Sequence, residues 1–471
     1  MNLVIIGGGI AGLSAACYAR KKSPNADITL LEASGRWGGK ITTDRVNFDD
    51  GAFIIEGGPD TFLATKPYAT ALCRELGLGE RLHGTNPDKK NTYVLSRDRL
   101  LPLPDGLAMM IPTNVGAILK SQLVSWPGKA RMGIDFLLPP QSPNGDESLG
   151  RFVSRRLGRE AYENLIEPLM SGIYAGDGDQ LSLASTFPYL RDLENKYGSL
   201  SRGALQMRKQ SNGRSVQGSR SAFLTPATGL AEIVEALVAR LQDLDLRLHT
   251  AVRHISKSGK GYLLEIRAGE TLEADALILA TPAFVSGSLL RTLDPELASA
   301  LGKIPYTSTA TVSLGYRASD LPRELDGYGY VIPRREGRKA LACTWTSTKF
   351  PHRAPEGYAL LRVFVGRAGQ EIPWNEAELL SLAREELKLT LGIRAVPLVQ
   401  RVFLWENAMP QYNLGHPALL GQIEAALENH PGLALAGNGY RGIGIPDCIR
   451  SGELAADKVL TAQKAPAPAS F

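Results

Sequence analysis

The first apolar run of the chain is short and uncharged. Residues 3–6 are only leucine, valine and isoleucine, the pattern of a strand buried on both faces. Glycines interrupt it, a helical run extends to Arg20, and a second short apolar run, 27–32, ends on Glu32. The pattern then predicts a hairpin over 41–55 that turns at Asp49-Asp50-Gly51. An amphipathic helix follows over 67–78, closed by Gly77 and Gly79, and a second hairpin over 93–103 turns around Ser96-Arg97-Asp98.

Beyond Pro104 the period becomes helical. Apolar patches at 118–123, 130–138, 149–157 and 161–170 are separated by prolines and glycines. The stretches 109–112 and 137–140 are apolar enough for core or for contact with a membrane surface. Residues 195–220 are basic and polar, the composition of a surface loop. Near Phe223 alternating strands and helices resume: a helix through Leu241, a strand over 246–252, an antiparallel pair around 259–261 and a buried strand over 274–281. Strands at 310–316, 329–332, 339–346, 358–365 and 399–405, with a helix over 376–391, predict a second, sheet-based unit. A buried strand at 433, a glycine-rich turn and a helix over 448–460 return the chain to the first unit. The expected division is 1–90, 223–284 and 426–463 for a discontinuous nucleotide-binding domain. Residues 91–222 are expected to form a hairpin plus helical insertion, 285–425 the sheet-based domain and 464–471 a disordered tail.

Candidate chemistry sits at the first strand-to-helix turn. Gly7, Gly8, Gly9, Ile10, Ala11 and Gly12 spell G-x-G-x-x-G: one glycine for the tight turn, one for approach to a pyrophosphate, one for helix–strand packing. Glu32 ends the second strand 32 − 12 = 20 residues after the last glycine, the spacing at which an acid accepts a ribose hydroxyl. The same acid repels a 2′-phosphate and so argues against NADP. A second glycine pair, Gly38-Gly39, leads into Lys40. Glu56-Gly57-Gly58-Pro59-Asp60-Thr61 suits a backbone that passes close to a flat ligand. The turn Ile443-Gly444-Ile445 opens a helix, where backbone amides stabilise an anion or a reduced cofactor.

Composition narrows the picture. A 471-residue chain exceeds one ordinary domain. Its 44% hydrophobic and 21% charged residues suit a water-soluble protein, and a net charge of +5 is too small for a nucleic-acid footprint. Four scattered cysteines and six scattered histidines show no disulfide frame and no metal-ligand spacing, so no metal is expected. No leader and no apolar run of about 20 residues is evident, and the expected location is cytoplasmic, with peripheral membrane contact left open. Neither C-x-x-C nor a second dinucleotide fingerprint occurs near these motifs, so dithiol and NAD-linked chemistry are not suggested and oxygen is the expected acceptor.

The second glycine pair resembles that of amine oxidase-type flavoproteins, which favours FAD. More specifically, the chain resembles the FAD-dependent porphyrinogen oxidases of the Gram-positive coproporphyrinogen III oxidase and protoporphyrinogen oxidase type. The motifs are 56–62, 164–177 (Asn-Leu-Ile-Glu-Pro-Leu-Met-Ser-Gly-Ile-Tyr-Ala-Gly-Asp), 181–187, 342–346, 409–412 and 444–449. The resemblance implies an α/β fold: a Rossmann-like FAD-binding domain of the amine oxidase/p-hydroxybenzoate hydroxylase-like kind, a mixed-sheet substrate domain and a helical inserted domain facing a membrane or the substrate channel. Tight FAD is implied, lined by the fingerprint and by Glu32, Ala33, Lys40, Gly58, Pro59, Asp60, Thr61, Val252, Trp405, Ile443, Gly444 and Ile445. Lys66 is implied as the anchor of a substrate propionate, although a lone lysine before a helix is ordinarily a solvated charge. Ser171, Gly172, Ile173 and Tyr174 are implied as the facing wall. The implied reaction is oxygen-dependent oxidation of a porphyrinogen to its porphyrin with peroxide release, the product passing to a downstream heme-pathway enzyme. No protein base is assigned, because the pyrrole nitrogen itself activates the meso C–H bond. The Gram-positive resemblance favours coproporphyrinogen III as the substrate; protoporphyrinogen IX, an amine substrate and a non-catalytic flavin-binding membrane chaperone stay open as alternatives.

Overall fold

A computed structural model describes residues 1–464 except 49–50, 109–110, 142–144, 213–220, 260 and 267–268. The apolar runs found in the sequence become one parallel sheet. Strands β1 (Asn2–Ile6), β2 (Asp27–Leu31), β3 (Asp245–Arg247), β4 (Ala276–Leu279) and β5 (Leu433–Leu435) pair in the order β3-β2-β1-β4-β5. Side chains alternate across it. Leu3, Ile5, Ile28, Leu30 and Ile278 meet the helices Ile10–Lys22, Ala231–Arg240 and Ile445–Lys464. Val4, Ile6, Leu31, Leu277 and Leu279 meet an antiparallel meander (Val252–Ser258, Gly261–Ile266, Thr271–Ala274) and three helices on the other face. Burial on both faces is why these strands read as unbroken apolar runs. The strand order reverses beside β1, and such a switch opens a crevice at the carboxyl ends of the strands.

The predicted strand over 246–252 is in fact two elements. His249 takes a positive φ of 54°, which ends β3 and turns the chain into the meander. The turn expected at 49–51 falls mostly outside the described residues, and its flanking strands, Thr43–Phe48 and Gly51–Glu56, pair antiparallel.

A seven-stranded mixed sheet forms the second unit. Its order is Val399–Pro410, Tyr306–Arg317, Tyr358–Val365, Ala340–Trp345, Gly327–Val331, Asn91–Ser96, Arg99–Pro102. Only the pairing of Gly327–Val331 with Asn91–Ser96 is parallel. The early hairpin is thus a part of this sheet, with Tyr93 and Leu95 in the core of Tyr330 and Trp345, while Val94 and Leu101 on its other side pack on the helices that follow it. Helix Glu376–Leu391 covers one face through Leu379, Ala383, Leu387 and Leu391, spaced by the helical repeat.

The helices between Val115 and Asn212 build their own core around Phe152, Leu165, Met170 and Tyr174. The loop expected at 195–220 is overturned where it is described. Residues Pro188–Tyr197 and Leu200–Asn212 are helices, joined through the left-handed Gly198, and their apolar sides (Leu190, Leu193, Leu200, Ala204) outweigh the basic composition. Of the two apolar stretches, 109–110 lies outside the described residues and Ile111 is buried in the helical core, whereas Leu137 is 82% exposed and so is not core. Among the described residues no helix is long and apolar enough to cross a membrane.

Candidate active site

The carboxyl ends of β1 and β2 carry the fingerprint. Gly7 has φ +110° and donates its N–H to the Leu31 carbonyl at 2.8 Å. A Cβ on Gly12 would overlap the Gly7 carbonyl oxygen, so helix Ile10–Lys22 starts directly against the strand end. Ile10 and Ala11 are buried behind the loop. The N-cap, Gly9, offers no side chain, and no acid occupies the first turn. A Cβ there would touch only Gly39, at 3.9 Å. A helix end with unpaired N–H groups facing open space suits a pyrophosphate.

Glu32 is drawn into this loop. Its carboxylate accepts the N–H of Gly8 at 2.7 Å and that of Ser34 at 2.8 Å, beside the exposed Ala33. Arg36 turns inward to the carbonyls of Gly39 (2.6 Å) and Ile41 (3.1 Å), so it is not offered to a 2′-phosphate. Gly38 donates to the Gly8 carbonyl at 2.8 Å, so the second glycine pair lies against the first loop. Val252 is near the same edge: Thr250, two residues earlier, donates its N–H to the Glu32 carbonyl at 2.9 Å.

The seven-stranded sheet holds the loop from Glu56 to Thr61 from below. The Gly57 carbonyl accepts Thr311 Oγ1 (2.9 Å), Trp405 Nε1 (2.8 Å) and the Arg362 guanidinium (3.2 Å), which also donates to Gly58. A Cβ on Gly58 would overlap the Lys40 carbonyl, so Lys40, Gly58, Pro59 and Trp405 are neighbours. Asp60 pairs with Lys349 at 3.0 Å and accepts Thr61 Oγ1 at 3.1 Å. Burial works to raise the Asp60 carboxyl, but Lys349 and Arg362 override it and hold it at about 2. Glu56 is buried, 3.0 Å from Arg353. Sequence reasoning missed Lys349, Arg353 and Arg362, because nothing in their local pattern marks a partner hundreds of residues away.

Lys40 reaches the turn that follows β5. Its Nζ lies 3.4 Å from Asn438 Oδ1, and burial pulls its ammonium down to about 8. Tyr412 donates to the Asn438 carbonyl at 2.6 Å, stacks on His416 with ring centroids 4.3 Å apart, and meets Tyr174 edge-on at 6.0 Å. Ile443 packs on the helical core and Ile445 on the parallel-sheet core, so the Gly442–Gly444 turn sits where the two meet. Gly444 donates its N–H to Asp447 at 3.3 Å.

Lys66 is not an isolated solvated charge: its Nζ is 2.7 Å from both Asp447 oxygens. The helix Glu167–Tyr174 follows a π-helical turn, Tyr162–Ile166, a distortion often found at functional sites. A Cβ at Gly172 would meet nothing within 4 Å, and Ile173 is 45% exposed. Ser171 turns away instead, buried and donating to Glu167 at 2.6 Å, so its hydroxyl does not face that open side.

The bare helix end, the rim carboxylate and the desolvated lysine fit a dinucleotide cofactor, and they sit at the switch point of a parallel sheet. The class is thus the dinucleotide-binding α/β proteins. The profile of flavin containing amine oxidoreductases matches residues 10–460, and the chain belongs to that family. Coproporphyrinogen III oxidase of Bacillus subtilis (strain 168) is 41% identical over 468 residues, 98% of each chain. The enzyme of the same name from Staphylococcus aureus is 36% identical, over 98% of this chain and 99% of its own. A crystal structure from Exiguobacterium sp. 255-15, described as a protoporphyrinogen oxidase, superposes with a TM-score of 0.85 at 35% identity, over 98% of this chain and 99% of the other.

Proposed function

We propose that the chain is an FAD- and oxygen-dependent oxidase that converts coproporphyrinogen III to coproporphyrin III in heme biosynthesis. The balance is a six-electron loss from the macrocycle against reduction of three oxygens to three hydrogen peroxides. The observation that carries this reading is the end-to-end identity of 41% with the B. subtilis coproporphyrinogen III oxidase.

When bound, FAD supplies the hydride acceptor and the route of electrons to oxygen. The chain's own residues bind and orient. The N–H groups of Gly9 to Gly12 face the pyrophosphate, and Glu32 accepts from the ribose. Lys40, Gly58, Pro59, Asp60, Thr61, Val252 and Trp405 line the cofactor. The turn Ile443-Gly444-Ile445, at the start of the last helix, would cover the pyrimidine edge of the cofactor. Gly172, Ile173 and Tyr174 form one wall for the macrocycle, with room left at the glycine, and Lys66 offers a cation to a propionate. Positioning carries most of the catalysis, since the pyrrole nitrogen activates the meso C–H bond.

Purified protein supplied with coproporphyrinogen III should produce porphyrin fluorescence and peroxide, and putrescine should produce neither. Peroxide from the amine alone would overturn the assignment, and turnover of neither would favour a flavin-binding protein without catalysis. The name given to the Exiguobacterium protein supports protoporphyrinogen IX as the alternative substrate. Competing rates on the two porphyrinogens at equal concentration decide between them.

A further inference from the structure

The Lys66–Asp447 pair ties the starts of two helices together. Lys66 is the residue before helix Pro67–Glu75, and Asp447 lies in the first turn of Ile445–Lys464. The lysine side chain is 45% exposed and the aspartate 17%. The lysine therefore reaches in from solvent to a carboxylate that the Gly444 N–H holds in place. Asp447 also faces the aromatic wall: burial first, and then Asp447, push the phenol of Tyr174 upward.

We propose that Asp447 is the exchange partner of Lys66. It holds the lysine while substrate and product are absent and competes with their carboxylates for it. In doing so it sets how tightly the acidic macrocycle is held and how fast it leaves. This rests on the porphyrinogen oxidase reading above. Oxidation changes the ring and leaves every propionate in place, so a cation that binds a propionate holds product as firmly as substrate. Such uniform binding lowers KM without raising kcat. A carboxylate already bonded to the lysine through both oxygens at 2.7 Å reduces the net gain of either ligand to a difference between two similar pairs. An ion pair with one partner nearly half exposed is weak enough to be exchanged.

The test is Asp447→Asn, which keeps the shape and an acceptor for Gly444 but removes the charge. Coproporphyrin binding is followed by fluorescence quenching, alongside steady-state kinetics and flavin absorbance. The dissociation constant and KM should both fall roughly 3- to 10-fold, and kcat should fall as product leaves more slowly. In a Lys66→Ala background the same substitution should change neither constant. An unchanged or raised dissociation constant with flavin intact would overturn the exchange, leaving Asp447 as a residue that only orients Lys66. An equal effect in the Lys66→Ala background would overturn it too. If the asparagine variant loses flavin, Asp447→Ser, which keeps a hydroxyl acceptor at the helix start, takes its place with the same expected outcomes. Wild-type protein that binds coproporphyrin but oxidises no porphyrinogen would sink the proposed function while leaving the binding test of the exchange intact.

Discussion

The carboxylate of Glu32 accepts the backbone N–H of Gly8 at 2.7 Å, so an acid 24 residues along the chain forms part of the glycine loop. This contact fixes the carboxylate at the rim while one oxygen's remaining lone pair stays free for a ribose hydroxyl. Glu32→Ala removes both functions. Hydrogen bonds to a charged group are worth about 1.5–3 kcal/mol, so FAD affinity should drop roughly 10- to 100-fold. The measurement is the flavin-to-protein absorbance ratio after gel filtration, and full retention of flavin would remove Glu32 from the cofactor site.

Two glycines make opposite predictions. A Cβ on Gly12 would overlap the carbonyl of Gly7, which is backbone and cannot swing aside. Gly12→Ala should cost about 1–3 kcal/mol and release flavin. At Gly172 a Cβ meets nothing within 4 Å, inside a helix. Gly172→Ala should keep the fold, gain up to about 1 kcal/mol from helix propensity, and raise KM by narrowing the wall. Thermal unfolding separates the pair, and equal loss of stability in both would contradict these placements.

The parallel sheet and its glycine turns were readable because local sequence and global role agree there. A strand buried on both faces must be all apolar, and the turn after β1 must be glycine at Gly7 and Gly12. Helix Glu376–Leu391 was readable for the same reason, its apolar positions repeating with the helical period. Residues 195–212 misled because a helix that packs one side on a core can be basic everywhere else. The hairpin at 91–102 gave no sign of its partner, since Tyr93 and Leu95 pack against strands more than two hundred residues later. Lys66 showed the same limit at the site. Its sequence context describes a helix start and holds nothing of Asp447, 381 residues away.

Asp60 makes an acid-stability prediction. Its carboxyl is held at about 2, below the ordinary 3.8, because Lys349 and Arg362 outweigh the effect of burial. A lowered pKa gives stability that is fully present above the unfolded value and is lost as pH falls through the folded one. The window is therefore from about pH 5 down to about pH 2, and the contribution near neutrality is about 2 kcal/mol. Asp60→Asn should lower Tm at pH 7 and flatten the fall in Tm over that window. An acid limb identical to that of the wild type would show that Asp60 is not the titrating group.

Lys66→Ala tests the anchor itself. A cation–carboxylate contact of this exposure, offset by Asp447, should be worth about 1–2 kcal/mol, so KM should rise roughly 5- to 30-fold. Flavin content should stay constant, because the lysine bonds to Asp447 and to no residue of the glycine loop. Unchanged KM with flavin intact would leave Lys66 with only its structural pairing.

Lys40 supplies the last prediction, and its sign follows from burial. The ammonium sits 3.4 Å from Asn438 Oδ1, and desolvation brings its pKa to about 8. Below about pH 8 it is mostly protonated and attracts the negative groups of the cofactor; above that it loses the charge. FAD binding to flavin-free protein should therefore weaken as pH rises from about 7 to about 9.5, by roughly 5- to 20-fold. Lys40→Met should remove the pH dependence and leave affinity near the high-pH value of the wild type. Fluorescence titration with FAD across this range checks both. A wild-type affinity that is flat through pH 8, or a methionine variant that keeps the slope, would assign the titration to another group and leave Lys40 as a neighbour of Asn438 without a charge role.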